Sequence, residues 1–236
     1  MLLRKINIVF VLLLLGAVSV CAQKKKVQRN PYIDNRIMHL GFFVGMHMQD
    51  MVLTNSGYVG DNGEAWFAEI PSYSPGFSVG LLGDLYLTQF LSLRLSPTLT
   101  FGEKKFVFQE ANSDQSFPAS IRSNYMTVPV DLRLNSFRLN NYRPYILVGG
   151  YGAFTLGRKK NEAILQKPID AGIQIGLGCD IYLPYFKLCP ELRFSFGLLD
   201  AIDTKRTDLS DKSLEKYSNA IASGRTRMIS LIFNFE

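Results

Sequence analysis

Few residues in this chain have the type and spacing to do chemistry. There are two histidines, His39 and His47. Eight residues of extended strand would hold them roughly 25 Å apart, too far to share one metal ion or one catalytic proton. No G-x-S-x-G elbow accompanies the serines, and a Ser-His-Asp site would have to recruit one of those two histidines. Gly176-x-Gly178 sits inside a strand-like run, without the third glycine and following helix of a phosphate-binding loop. Cys189 has no ligand cluster around it and reads as a small inert residue. The chain is therefore read as noncatalytic, with no metal, no cofactor and no small-molecule substrate.

The richest polar set is of another kind: Asp84, Arg94, Asp131, Arg133, Arg143, Asp180, Lys187, Glu191 and Arg193. Each stands in a run where polar and apolar residues alternate, and opposite signs fall on neighbouring runs. Charges confined to a narrow interior persist when they are paired. The chemistry expected of this set is mutual salt bridging, a structural plug rather than an acid–base site or a pore.

The elements that would position these charges are clearest from Ala171 to Leu198. In the first half Ala171, Ile173, Ile175, Leu177, Cys179, Ile181 and Leu183 share one face. In the second, Phe186, Leu188, Pro190, Leu192, Phe194, Phe196 and Leu198 do so. The opposite face carries Asp180, Lys187, Glu191 and Arg193 among glycines and other small residues. A soluble barrel has its apolar side inside. Here the small and charged residues suit a cramped lumen, and the aliphatics and Phe residues suit lipid. Each half is about as long as a tilted membrane-crossing strand requires.

The same alternation recurs near His39–Gln49, Gly76–Leu87, Leu91–Phe101, Tyr125–Leu134, Arg143–Leu156 and the final run through Phe235. With the hairpin this predicts an all-β fold, an eight-stranded antiparallel transmembrane up-and-down β-barrel. Pro97 calls for a bulge in the third strand. The connections at 88–90, 135–141 and Pro184-Tyr185 are short and the other four are longer, as expected for short periplasmic turns and long outer loops with both termini periplasmic.

The first residues, 1–22, have the form of a cleaved signal peptide, with Arg4 and Lys5 before an apolar run from Ile8 to Val18. A lipidation site calls for a small residue before its Cys, and Val20 before Cys21 is not small, which favours an ordinary cleavage site. Residues 23–38 then form a periplasmic N-terminal segment whose Lys24-Lys25-Lys26 reads as a solvated tether, and 39–236 the barrel. The net charge of +6, or +4 without Arg4 and Lys5, is too mild for a nucleic-acid partner. Cys179 and Cys189 fall on opposite faces and are expected to stay free.

Two long loops stand out. The first is aromatic, with Tyr58, Trp66, Phe67 and Tyr73, of which Trp66, Phe67 and Tyr73 are the candidate partner contacts. The last is expected to hold a helix capped by Asp211, with Leu214, Tyr217 and Ile221 on one face and Gly224 at its end. Gly157-Arg158-Lys159-Lys160 reads as a solvated basic loop.

Five stretches in order, HLGFFVGMHMQD (39–50), WFAEIPSYSPGFSVGLLGDLYL (66–87), RLNNYRPY (138–145), DKSLEKYSNAI (211–221) and RMISLIFNFE (227–236), make the chain resemble the PorT family of outer-membrane barrels associated with the type IX secretion system. The resemblance implies a noncatalytic accessory component of cargo-protein export and, in some bacteria, of gliding motility. Its implied partners are other secretion-system proteins and outer-membrane lipid. It supplies no residue-level roles. The ending Phe233-Asn234-Phe235-Glu236 departs from the usual barrel-assembly signal, which closes on its aromatic. From the residues alone, a generic structural or adhesion barrel that binds a surface ligand through its outer loops fits as well.

Overall fold

A computed structural model of the chain describes residues 28–58, 64, 66–69, 73–110, 116–157, 164–203 and 218–236. Residues 1–22, Lys24–Lys26, Gly60–Gly63, Pro71, Arg158–Lys160 and Asp211–Tyr217 lie outside that set, so the leader, the tether, the basic loop and most of the expected helix are not among the described residues.

Period-two alternation does produce strands where it was read. Among the described residues they are β1 (Met38–Asn55), β2 (Trp66–Glu69), β3 (Ser74–Thr88), β4 (Leu91–Leu95), β5 (Thr98–Glu110), β6 (Ser116–Arg122), β7 (Asn124–Asn135), β8 (Tyr142–Leu156), β9 (Leu165–Gln166), β10 (Ile169–Tyr182), β11 (Lys187–Gly197), β12 (Ile202–Asp203) and β13 (Ile221–Phe235). β4 and the first part of β5 are one stave interrupted at Ser96-Pro97, since both pair with β3 on one side and β7 on the other. Pro97 has no N–H for the ladder, while its carbonyl still accepts the N–H of Leu81 at 3.1 Å.

Counted this way, eight antiparallel staves follow one another around a ring, each paired with its sequence neighbour. β1 closes it by pairing with both β13 and β3, from Phe42↔Phe235 on one side and from Met38↔Leu85 on the other. One end carries tight connections: Gln89-Phe90, 136–141 and 183–186. Asn140 takes a positive φ of 60° in the second of these, a conformation asparagine tolerates. The other end carries the long connections.

Along the barrel wall the outward faces are apolar, up to Glu103 of β5 and Arg227 of β13 at the long-loop end. Leu40, Phe42, Val44, Met46 and Met48 of β1 are exposed, as are Ile173, Ile175 and Leu177 of β10 and Leu192 and Phe196 of β11. Phe42 stacks on Phe235 across the β1–β13 seam at 5.1 Å, and Phe77 on Phe101 at 5.0 Å. A belt of this extent has no stable place in water and defines the lipid-facing surface. No helix among the described residues is long and apolar enough to cross a membrane.

Beyond the belt, at the long-loop end, the upper part of β5 leaves the barrel wall and forms a three-stranded sheet with β2 and β6. β9 and β12 pair beside it. These pieces enclose an apolar core of Met51, Trp66, Phe106, Phe108, Ile121, Ile164, Ile202, Ala220 and Ile221. The end of the last loop is strand rather than the expected helix. Ile221 begins β13 and Gly224 lies within it, opposite Leu53 of β1, so neither belongs to a helix. The long β1–β13 ladder and the outer core together claim Ile221, and that burial outweighs the local helical spacing.

Candidate functional site

The lumen is built from the inward residues of all eight staves, and its central layer is ionic. Arg94 of β4 is fully buried at 0% exposure and serves three carboxylates. Its Nη2 is 2.8 Å from Asp84 Oδ2 and 2.9 Å from Glu236 Oε1, and its Nη1 is 3.1 Å from Glu191 Oε2. Arg133 of β7 also reaches Asp84 Oδ2, at 2.9 Å, and pairs with Asp180 of β10. Lys187 pairs with Glu236. Arg193 donates to Glu191 through Nε at 2.9 Å and Nη2 at 2.6 Å and lies 3.8 Å from Asp131. The planar guanidinium forks can each face more than one carboxylate, which is why arginine rather than lysine dominates the layer.

Of the nine charges expected in the lumen, eight meet in this layer. Arg143 does not. It points inward from the lower end of β8, but its partners are the carbonyls of Ser136 and Gln89 and the carboxylate of Asp34 at 3.4 Å. Parity along the strand told which way it faces and not how high it stands.

Three members of the layer were not among the expected residues. Glu236 follows Phe235, so its inward side was implied by the same alternation. The side chain that ends the FNFE run is thus a ligand of Arg94 and Lys187, and backbone bonds of 2.7 and 2.9 Å between Lys187 and Glu236 hold it there. Tyr145 donates its hydroxyl to Glu191 at 2.9 Å and lies under the guanidinium of Arg133 at 3.8 Å. Gln174 donates to Asp131 at 2.6 Å. Both are inward by parity but uncharged, and a reading restricted to charge passes over them.

Above the ionic layer lies a small chamber of about 40 Å³ whose lining mixes polar residues such as Gln49, Tyr125, Asp170 and Gln174 with Ala153 and Met228. A space of that size suits a water molecule or two. Lys104 borders it, donating to Tyr125 at 2.7 Å. His47 is buried beside Gly76 and Gly102, whose missing side chains leave room for the imidazole. Among the described residues no group of three or more His, Cys, Asp or Glu side chains is placed to hold a metal ion. Cys179 and Cys189 are free thiols, as their opposite parity requires.

The two ends are also built. At the long-loop end Trp66 faces the apolar core at 5% exposure, with its Nε1 donating to Glu64 at 3.1 Å, so it is not an outward contact. Phe67 and Tyr73 are exposed. Asp200 ties this end together, accepting from Lys167 at 2.8 Å and from the backbone N–H groups of Gly224 and Ile202 at 2.9 and 3.3 Å. Slight burial would raise its carboxyl pKa, but those donors outweigh it and hold the group below the ordinary value.

At the short-turn end residues 28–37 form a strap across the mouth. Asp34 pairs with Arg138 at 3.1 Å and Arg143 at 3.4 Å and accepts the hydroxyl of Tyr182. Arg138 also donates to the carbonyls of Asn30 and Arg29, and its guanidinium lies 3.6 Å over the ring of Tyr182.

A closed ring of eight staves with an apolar exterior, a filled polar lumen and alternating short and long connections is the architecture of an outer-membrane barrel. The chain belongs to the outer membrane protein beta-barrel domain family, which matches residues 21–203. It is similar to the outer membrane protein OprG from Pseudomonas aeruginosa, with 9% identity over 83% of this chain and 94% of that one and a TM-score of 0.46. Neisserial surface protein A is similar at 9% identity over 84% and 97%, TM-score 0.41, and outer membrane protein AlkL at 11% over 91% and 92%, TM-score 0.41. No curated protein matches the sequence.

Proposed function

We propose that the protein is a noncatalytic, non-conducting outer-membrane scaffold whose long loops face outward and present a surface to a ligand or partner, with both termini in the periplasm. The observation that carries this reading is the Arg94–Asp84–Glu191–Glu236 cluster across the lumen. Substrates and ions have no path through a barrel of this width filled by its own paired side chains. What remains available is the surface at the ends, where Phe67 and Tyr73 stand exposed. The test is a planar-bilayer recording of the purified protein alongside binding of labelled protein to intact cells. Flat current, with cell binding lost on replacing Phe67 and Tyr73 by serine, supports the reading. Steady single-channel steps in wild-type protein overturn it.

A second reading is an accessory role in type IX secretion, acting through contacts with other secretion-system components. The runs at 39–50, 66–87, 138–145, 211–221 and 227–236 that resemble the PorT family favour it. A clean deletion separates the two: loss of cargo enzymes from the medium or of gliding belongs to this reading, and unchanged export rejects it.

A further inference from the structure

The short-turn mouth has an unbalanced charge that the strap does not satisfy. Among the described residues of the strap, the three short turns and the adjoining end of β8 there are four arginines, Arg29, Arg36, Arg138 and Arg143, against one acid, Asp34. The side chains of Arg138 and Arg143 are largely buried, and they share the single carboxylate of Asp34. Beside that shared carboxylate lies a cavity of about 370 Å³ lined by Asp34, Tyr86, Phe90, Phe137, Arg138 and Arg143. Phe90 and Phe137 meet edge to face there at 4.9 Å and are exposed.

We propose that this cavity is a docking site for an acidic peptide segment of a partner protein, whose carboxylate completes the Arg138–Arg143 pair while an apolar neighbour rests on Phe90 and Phe137. The strap shows the chemistry that the mouth recognises. Besides the Asp34 carboxylate, the mouth holds peptide groups: Arg138 takes the carbonyls of Arg29 and Asn30, Asn141 takes the N–H of Arg29, and the N–H of Tyr86 takes the carbonyl of Ile37. Main chain plus a carboxylate is what a second peptide would offer. Both guanidiniums are already engaged by peptide carbonyls, Arg138 by those of Asn30 and Asn140 and Arg143 by that of Ser136, which is the company a peptide ligand would keep. A guanidinium pair with one carboxylate retains a net positive charge in a partly desolvated recess, where a second charge-assisted pair is strong.

The test uses the full folded chain in zwitterionic lipid nanodiscs and a fluorescein-labelled blocked peptide with one glutamate between two phenylalanines, read by anisotropy. The glutamate peptide should bind about tenfold more tightly than its glutamine counterpart. Arg143→Gln should remove that preference. Asp34→Asn, which frees both guanidiniums, should strengthen binding of the glutamate peptide severalfold. Should Arg143→Gln fail to fold, judged by heat-modifiable migration, Asp34→Asn decides alone. Equal binding of the two peptides, or an Asp34→Asn protein that binds as wild type does, overturns the proposal. Loss of the preference when phosphatidylglycerol replaces part of the zwitterionic lipid would assign the pair to lipid phosphate and also overturn it.

Discussion

The guanidinium of Arg94 on β4 and the carboxylate of Glu236 after β13 meet at 2.9 Å inside the barrel, although 142 positions separate them. Between them they link the third stave to the last, and through Lys187 to β11. Arg94 also holds Asp84 and Glu191, whereas Glu236 has Lys187 as its other close partner, so the two losses should differ in size.

Arg94→Leu takes one of two close cationic partners from each of Asp84, Glu191 and Glu236, leaving them Arg133, Arg193 and Lys187 respectively, and should destabilise the barrel by about 3–5 kcal/mol. Glu236→Gln keeps a hydrogen-bonding group in place and should cost about 1–3 kcal/mol. Equilibrium urea unfolding in lipid measures both. A Glu236→Gln loss equal to that of Arg94→Leu would show that Arg94 is not the centre of the layer.

Trp66 is the chain's one tryptophan, and it is buried in the outer core with Phe106, Phe108 and Ile121. Its fluorescence should be blue-shifted and poorly quenched by acrylamide. Trp66→Ala should weaken the outer sheet by about 3–5 kcal/mol locally. Hydrogen exchange should then rise in β2, β5 above Glu103 and β6, while heat-modifiable migration of the barrel is kept. Full loss of the folded gel form would place Trp66 in the barrel's own stability.

Two glycines should respond in opposite ways. A Cβ on Gly76 would stand 2.3 Å from His47 Nε2 and 2.5 Å from the carbonyl of Phe101, whereas one on Gly152 meets nothing within 4 Å. Gly76→Ala should cost about 1–3 kcal/mol by overpacking. Gly152→Ala should be close to neutral. Similar unfolding midpoints for the two variants would argue that the lumen wall yields easily around His47.

Acid should loosen the long-loop end through Asp200. The Asp200 carboxyl is held below its ordinary pKa by Lys167 and two backbone N–H groups, so its contribution is present above the unfolded value of about 3.9 and is lost as the pH falls through the depressed folded one. The group is partly exposed, so solvent screening keeps the effect small. Hydrogen exchange at Ile202 and Gly224 should quicken on acidification, and Asp200→Asn should abolish the pH dependence. An unchanged profile in that variant would assign the transition to another carboxylate.

The sequence by itself determined which side of each strand meets lipid, because alternation is a local property and side-chain direction follows it residue by residue. It thereby determined the eight staves, the interruption at Pro97, the free state of Cys179 and Cys189, and the inward direction of every charge in the ionic layer. Face parity carries no information on height or partner. Only the closed ring, with its registers, decided that Arg94 meets Glu236 and Glu191 across the lumen while Arg143 drops to the mouth and takes Asp34. Long-range burial likewise decided the ends. Trp66 turned inward because an outer core formed around it, and Ile221 joined β13 because β1 runs on to Asn55 and offers it a partner. The strap was illegible for the same reason: residues 28–37 have no period of their own, and Asp34 acquires its place from two arginines more than a hundred positions away.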